Sequence, residues 1–408
     1  MRKNKSVKDF IFIFDSKFGE DSALFYLLKI FTGLGSFCFI FFAYNFTSEA
    51  DYGQFSLLHS ELLVFTALFG GLSEQIILKY GKYYSSIIKF LLISLALSVI
   101  AYVYFNKTRG SETIILYYGV LIFIIFSNIN QSYYRKTGDN HLLVVSEITR
   151  IGIMLASLIL LPYLLSNLDA SWTILVFSFG LGYLSSCIFF LIKNREILRF
   201  KHLKHWNHKD IESLKYGFSI SLWLFLANLL NLSDRWLIFQ FLGDSELGQY
   251  SFVYDISYKI MAFVISPILV AAHPKLLNDK KEVSSETNNK ISQLRKKIIN
   301  ILPILLLVSI IILIILSIQM DKPFLFLIFL GTPILLGCFI WQISMLEHKK
   351  LEQEGEIGKM LLFILLSLVM NLTINIGTWK LMGIYTFAIS SLLSYSFYFF
   401  LVYTNRKV

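Results

Sequence analysis

Charged side chains are scarce in this sequence. Asp, Glu, Lys and Arg make up 16% of its 408 residues, against about 25% in ordinary soluble proteins. Cysteine is scarcer. Cys38, Cys187 and Cys338 all sit inside apolar runs, which excludes a disulfide framework or a cysteine-based zinc site. No G-x-x-x-x-G-K-[ST] loop occurs, so no ATPase of that type is carried. No Ser-His-Asp or paired-carboxylate constellation stands out, and the chain is not expected to be an enzyme. Met1–Asp21 has no short apolar core before a small-residue cleavage site, so no cleavable signal is expected. His202, His205 and His208 fall in a basic loop with no cysteine or nearby ordered carboxylate to complete a ligand set. No metal and no cofactor is expected.

Apolar residues are abundant instead: 56% hydrophobic and 16% aromatic, with a mean hydropathy of +0.64. One soluble core could not hide that much apolar surface, whereas lipid can accept it. Twelve apolar runs of about 20 residues lie near 23–45, 54–76, 87–105, 113–133, 142–165, 171–192, 215–241, 249–272, 298–318, 323–345, 360–379 and 382–403. Runs such as Ile301–Ile318 do not alternate, which argues against a barrel. The expected fold is an all-α polytopic membrane protein with 12 transmembrane helices.

The net charge of +10 then reads as topology, not as nucleic-acid binding. Of 37 Lys and Arg, 29 fall at the termini and in the loops after even-numbered spans. The loops after odd-numbered spans hold only Lys107, Arg109, Lys322 and Lys380. The excess of cations marks the cytoplasmic side, so both termini are expected there. All the expected external loops are short.

The link between spans 1 and 2 reads Ser48-Glu-Ala-Asp-Tyr-Gly-Gln-Phe-Ser56, and that between spans 7 and 8 reads Gly243-Asp-Ser-Glu-Leu-Gly-Gln-Tyr-Ser251. A shift of 195 residues carries Gly53 onto Gly248, Gln54 onto Gln249 and Ser56 onto Ser251. Six spans per half is an even number, so both halves enter the membrane in the same direction. The expectation is two six-helix lobes, 1–200 with spans 1–6 and 201–408 with spans 7–12. They would be related by a parallel pseudo-two-fold axis, with the substrate path between them.

The stretch Ser233–Tyr250, Ser-Asp-Arg followed by an apolar run, Gly, and Gly-Gln-Tyr, resembles the span 7–8 signature of Wzx-type polysaccharide flippases. These belong to the multidrug/oligosaccharidyl-lipid/polysaccharide exporter superfamily. Glu49–Phe55 resembles the span 1–2 signature of the same family. The resemblance implies translocation of undecaprenyl-diphosphate-linked oligosaccharide, an O-antigen or capsule repeat unit, across the bacterial inner membrane. It implies alternating access through a cationic central cavity. Partners would be that lipid-linked oligosaccharide, membrane lipids, and the polymerase and chain-length machinery of the pathway, without nucleic acid. Two other functions compete. A polysaccharide polymerase or ligase should carry a large external loop with Arg and His, which is missing. A small-molecule or drug antiporter should line its path with acids.

Ionisable groups inside a bilayer are costly and mark function or pairing. Four cations lie within spans: Lys29, Arg150, Arg235 and Lys259. Each is a candidate for binding the diphosphate. Lys29 has no acid at i±3 or i±4 in its span, leaving a cavity role, pairing with another helix, or snorkelling to the surface. Arg150 has Glu147 at i−3, and Lys259 has Asp255 at i−4, so structural ion pairs compete with ligand roles. Asp234 and Arg235 stand near the outer end of span 7, where a charge is cheaper to keep, and Glu74 near the inner end of span 2. Glu61 and Asp255 are candidates for a coupling ion, H+ or Na+. Asn228, Asn231, Asn371 and Asn375 complete polar stripes on spans 7 and 11.

Overall fold

The computed structural model describes residues 20–80, 84–109, 113–164, 171–194, 208–277 and 285–405. Side chains at 20–27, 29, 266–277 and 285–290, with a few beside the other breaks, lie outside the described residues. All regular structure among the described residues is helical. In chain order the elements are α1 (Glu20–Phe46), α2 (Glu49–Tyr80), α3 (Tyr84–Arg109), α4 (Ile114–Thr137), α5 (Asn140–Leu164), α6 (Ser171–Lys193) and α7 (His208–Phe241). They continue with α8 (Asp244–Leu277), α9 (Ser285–Gln319), α10 (Phe324–Glu347), α11 (Lys349–Gln353), α12 (Ile357–Met382) and α13 (Tyr385–Thr404).

Each of the twelve apolar runs falls in one long helix, and α11 is a five-residue connector. Several helices extend past the runs that announce them. Hydropathy drops at the first polar residue, but the backbone ladder continues through it. At α2 and α8 the extensions carry acids, Glu49 with Asp51 and Asp244 with Glu246, which complement the positive end of the helix dipole. Among the described residues ten helices are long and apolar enough to cross a membrane, and α1 adds a shorter apolar stretch, Ile30–Phe46. The chain is a multi-pass membrane protein.

The helices alternate in direction. At one end, Lys322, after α9, comes within 4.0 Å of Glu49 at the start of α2, and Trp379 of α12 stacks on Phe241 of α7. At the other end, Lys136, closing α4, donates to the Leu78 carbonyl of α2, and Tyr216 of α7 donates to Glu352 of α11. On the outside, α9 presents Ile304, Leu307, Ile311 and Ile315, and α12 presents Leu362 and Val369. In water such surface would aggregate; in lipid it is the solvent-facing side.

Neighbour relations repeat along the chain. α2 packs on α3 and α4, α4 on α6, α5 on α6, and α1 on α5. Likewise α8 packs on α9 and α10, α10 on α13, α12 on α13, and α7 on α12. The main contacts joining the two groups run from α2 to α7 and α8, and from α1 to α8. That junction is where the buried charges gather.

Candidate functional site

Arg235 of α7 holds the junction together. Its side chain is buried, 4% exposed. Nη1 donates to the Ser56 carbonyl at 3.2 Å, to the Ser56 hydroxyl at 2.6 Å and to the Ser60 hydroxyl at 2.7 Å, all on α2. Nη2 donates to Asp255 Oδ1 of α8 at 2.5 Å. The guanidinium also lies 5.3 Å from the centre of the Tyr254 ring. The other Asp255 oxygen accepts from Tyr52 OH of α2 at 2.8 Å. Arg235, near the outer end of span 7 by sequence, is buried among α2 and α8.

This arrangement settles the competition for Asp255. The carboxylate is taken by Arg235 and Tyr52, not by Lys259 one turn along its own helix. Among the described residues no hydrogen bond or ion pair within 4.0 Å reaches the Lys259 ammonium. Its electrostatic neighbours are Asp255 and, across the junction, Arg150 of α5. Arg150 is buried and forms the pair expected from its spacing. Nη2 lies 2.8 Å from Glu147 Oε2, Nε donates to Glu147 Oε1 at 3.3 Å, and the guanidinium lies over Tyr183 at 4.8 Å. His59 of α2, stacked on Phe55 and edge-on to Phe179, has Asp255, Arg235 and Lys259 as charged neighbours. The junction therefore brings together Arg150, Arg235 and Lys259 with Glu147 and Asp255, and Asp234 lies next to Arg235 on α7. The side chain of Lys29 lies outside the described residues, as do those of His202, His205 and His208.

A second polar cluster sits beside it, around Asp234. This carboxylate is 1% exposed. Asn375 Nδ2 donates to Oδ1 at 2.7 Å, while Ser391 and, at 3.2 Å, Tyr250 donate to Oδ2. Behind these, Ser233 and Asn375 donate to Asn371 Oδ1 at 3.1 and 3.0 Å, and Ser390 donates to Asn375 Oδ1 at 2.5 Å. Every direct partner of Asp234 is neutral, and no cation pairs with it among the described residues. α7, α8, α12 and α13 each supply part of the cluster. Burying an anion with neutral donors alone is rare, and here it gathers oxygens at one point.

The sequence-read polar residues divide between these clusters. Asn371 and Asn375 belong to Asp234. Asn231 Oδ1 accepts from Tyr254 and Tyr395, next to Arg235. Asn228 turns back on the Leu224 carbonyl of its own helix and joins neither. Glu61 is buried against α3, accepting from Tyr104 OH at 3.1 Å. Tyr52, Ser56, Ser60, His59, Ser390 and Ser391 were not legible as site residues. Single hydroxyls and one histidine in an apolar helix carry no pattern of their own. The usable signal was Ser-Asp-Arg itself, three polar residues in succession inside a span. Among the described residues no group of His, Cys, Asp or Glu is placed to hold a metal ion.

Comparison with known proteins gives the same architecture. A Vibrio cholerae MATE transporter superposes with a TM-score of 0.68 at 13% identity, covering 94% of this chain and 95% of its own. An outward-facing multidrug resistance MATE family transporter of the MOP superfamily gives 0.63 at 13% identity, with 94% of each chain covered. An inward-facing one gives 0.54 at 13%, covering 94% of this chain and 93% of the other. No curated protein matches by sequence. The model of a family described as polysaccharide biosynthesis protein matches residues 80–322. The chain belongs to this polysaccharide biosynthesis family and has the fold of the MATE transporters of the MOP superfamily.

Proposed function

We propose that the protein is a flippase for a diphosphate-linked oligosaccharide lipid, the undecaprenyl carrier in a bacterial inner membrane. It would carry the head group from the cytoplasmic to the outer leaflet by alternating access between lobes 1–200 and 201–408. The observation carrying this reading is Lys259, an ammonium with no ion pair among the described residues at the junction of α1, α2, α7 and α8, with Arg150 as its charged neighbour across that junction. A diphosphate of about two negative charges cannot enter a low-dielectric path without counter-charge. A cation free of a carboxylate partner can supply it, and Arg150 can share the load through charge-assisted bonds. An inside-negative membrane favours outward movement of the anion by about 2.3 kcal/mol per charge per 100 mV. A multidrug antiporter shares the fold, but its cationic substrates would meet the Lys259 ammonium and the Arg150 guanidinium here. Polymerase and chain-length machinery would act on the delivered product.

Asp234 is our candidate for the coupling site. Its carboxylate, with Asn371, Asn375, Ser390 and Ser391, is a buried, oxygen-rich pocket that a proton or a sodium ion would neutralise.

Lys259→Gln is expected to lower delivery of the lipid-linked oligosaccharide to the outer leaflet roughly 10- to 100-fold. The loss corresponds to one charge-assisted contact of about 1.5–3 kcal/mol, and Lys259→Arg should retain part of the activity. The assay is accumulation of the oligosaccharide lipid on the cytoplasmic leaflet of a deletion strain carrying each variant at matched expression. Wild-type delivery by Lys259→Gln, with the protein limiting, would remove the ligand role. The topology has its own test. Reporter fusions at Asp51, Asp244 and Asp321 should report the outside, and fusions at Lys204 and Lys281 the cytoplasm. A cytoplasmic signal at Asp244 would reverse the direction proposed.

A further inference from the structure

Two ion pairs lie buried at the junction among the described residues, and they differ in what they connect. The Arg235–Asp255 pair joins α7 to α8, and the same guanidinium reaches α2 through Ser56 and Ser60. The Arg150–Glu147 pair joins no two helices, since both residues stand on α5 three positions apart. Burying two charges strips water from each. A pair within one helix gives back no contact between helices, so its presence calls for another use.

The donors of Arg150 point to that use. Glu147 takes Nε at 3.3 Å and one terminal nitrogen, Nη2, at 2.8 Å. Nη1 has no hydrogen-bond partner among the described residues. Tyr183 lies against the guanidinium, and Lys259 is its neighbouring cation across the junction. Glu147 is also held from its other side. Gln131 of α4 donates through Nε2 to Glu147 Oε1 at 2.8 Å, and Gln131 Oε1 accepts from Arg135 Nη2 at 3.3 Å. Arg135 stands one turn further along α4, toward the end of the bundle where α4 closes and α5 begins. The side chains Arg135, Gln131, Glu147 and Arg150 thus form a chain from that end into the junction. Glu147 has a guanidinium on each hand, one in direct contact and one behind an amide.

We infer that Glu147 is an internal stand-in for the ligand's phosphate: it occupies Arg150 while the path is empty, yields Nε and Nη2 to an arriving diphosphate, and turns toward Gln131 and Arg135. The inference rests on the diphosphate reading of the junction and adds how Arg150 becomes available to it. A carboxylate and a phosphate compete for the same planar fork of donors. Left without an anion, a buried guanidinium would be costly in the empty protein. Bound to an acid that also tied helices together, it could not be released without disturbing the packing. An acid on its own helix meets both demands, because parting the two breaks no contact between helices. The exchange also sets an upper limit on affinity. Each diphosphate must displace an anion to bind, and Glu147 returns to Arg150 as the diphosphate leaves.

The test uses the whole protein in nanodiscs, with farnesyl diphosphate as the probe. Glu147→Gln keeps the size of the side chain and an oxygen for the Gln131 amide, but it cannot compete for Arg150 as an anion. It is expected to bind the probe roughly tenfold more tightly than wild type, the equivalent of about 1.4 kcal/mol. Delivery of the oligosaccharide lipid should nevertheless slow, because release does. A merely structural pair would not tighten binding when broken. A second measurement stands apart from the folding of that variant. Glu147→Asp keeps the charge, and infrared difference spectra of wild type and Glu147→Asp are recorded on adding the probe. A carboxylate band should shift in wild type, and its position should change in Glu147→Asp. Equal probe affinity in folded Glu147→Gln and wild type, or identical difference spectra for wild type and Glu147→Asp, would overturn the exchange alone. Absence of probe binding in every form would overturn the diphosphate reading and the exchange with it.

Discussion

Arg235→Met is expected to cost about 3–5 kcal/mol of stability, the range for removing one partner of a buried ion pair. Individual polar contacts inside membrane proteins are modest, about 0.6 kcal/mol on average by double-mutant cycles. Losing three bonds to Ser56 and Ser60 therefore cannot supply the effect alone. The larger part is Asp255, whose carboxylate would be left in the junction with Tyr52 as its remaining hydrogen-bond donor among the described residues. Neutralising that acid should relieve the strain. The double variant Arg235→Met/Asp255→Asn is expected to recover most of the loss although it lacks both charges. Thermal unfolding of the four proteins of this cycle in detergent measures the coupling directly. If the double variant is no more stable than Arg235→Met, the stranded carboxylate is not the source of the cost.

The same residues mark how far the sequence could be read. The long helices were legible because lipid demands long apolar runs. The Glu147–Arg150 pair was legible because an i, i+3 spacing on one helix fixes both partners. The partner of Asp255 was not. Lys259 at i+4 was the local choice, but Arg235 arrives from the neighbouring helix, and crossings between helices leave no trace in local spacing. The burial of Asp234 and Arg235 was not legible for a related reason. Counting residues from a span boundary measures distance along one helix, whereas burial here comes from α2, α8, α12 and α13 closing around α7. The links were recognised as a repeat from Gly53 and Gly248. That the two copies touch each other, and that each glycine is needed by the backbone of the other copy, requires the fold.

Two buried acids on neighbouring helices thus play different parts. Asp255 is matched by a guanidinium and works as a strut. Among the described residues Asp234 is met by neutral donors, Asn375, Ser391 and Tyr250, and we propose that a cation or proton balances its charge. Arg235, the next residue, cannot serve both, because its donors point to α2 and Asp255.

Asp234→Asn is accordingly expected to abolish the dependence of transport on an ion gradient while leaving the protein folded. The amide has the size of the carboxylate and imitates its neutralised form. One of its two positions would face donors, but Ser391 and Tyr250 hydroxyls can rotate to accept, which limits the folding cost to about 1–3 kcal/mol. The functional cost should be larger. A site that can no longer change charge cannot alternate between loaded and empty states, and the cycle should stall in whichever state the neutral form favours. The rate of substrate delivery in vesicles with an imposed sodium or pH gradient should fall roughly 10- to 100-fold, on the scale of the charge-assisted bonds removed. The residual rate should be the same with either gradient or none. Ser391→Ala, which removes one donor and keeps the carboxylate, should retain the gradient response at a reduced rate. A full response to the gradient in Asp234→Asn would place the coupling elsewhere. Glu61, the buried carboxylate that Tyr104 holds against α3, would then be the residue to replace.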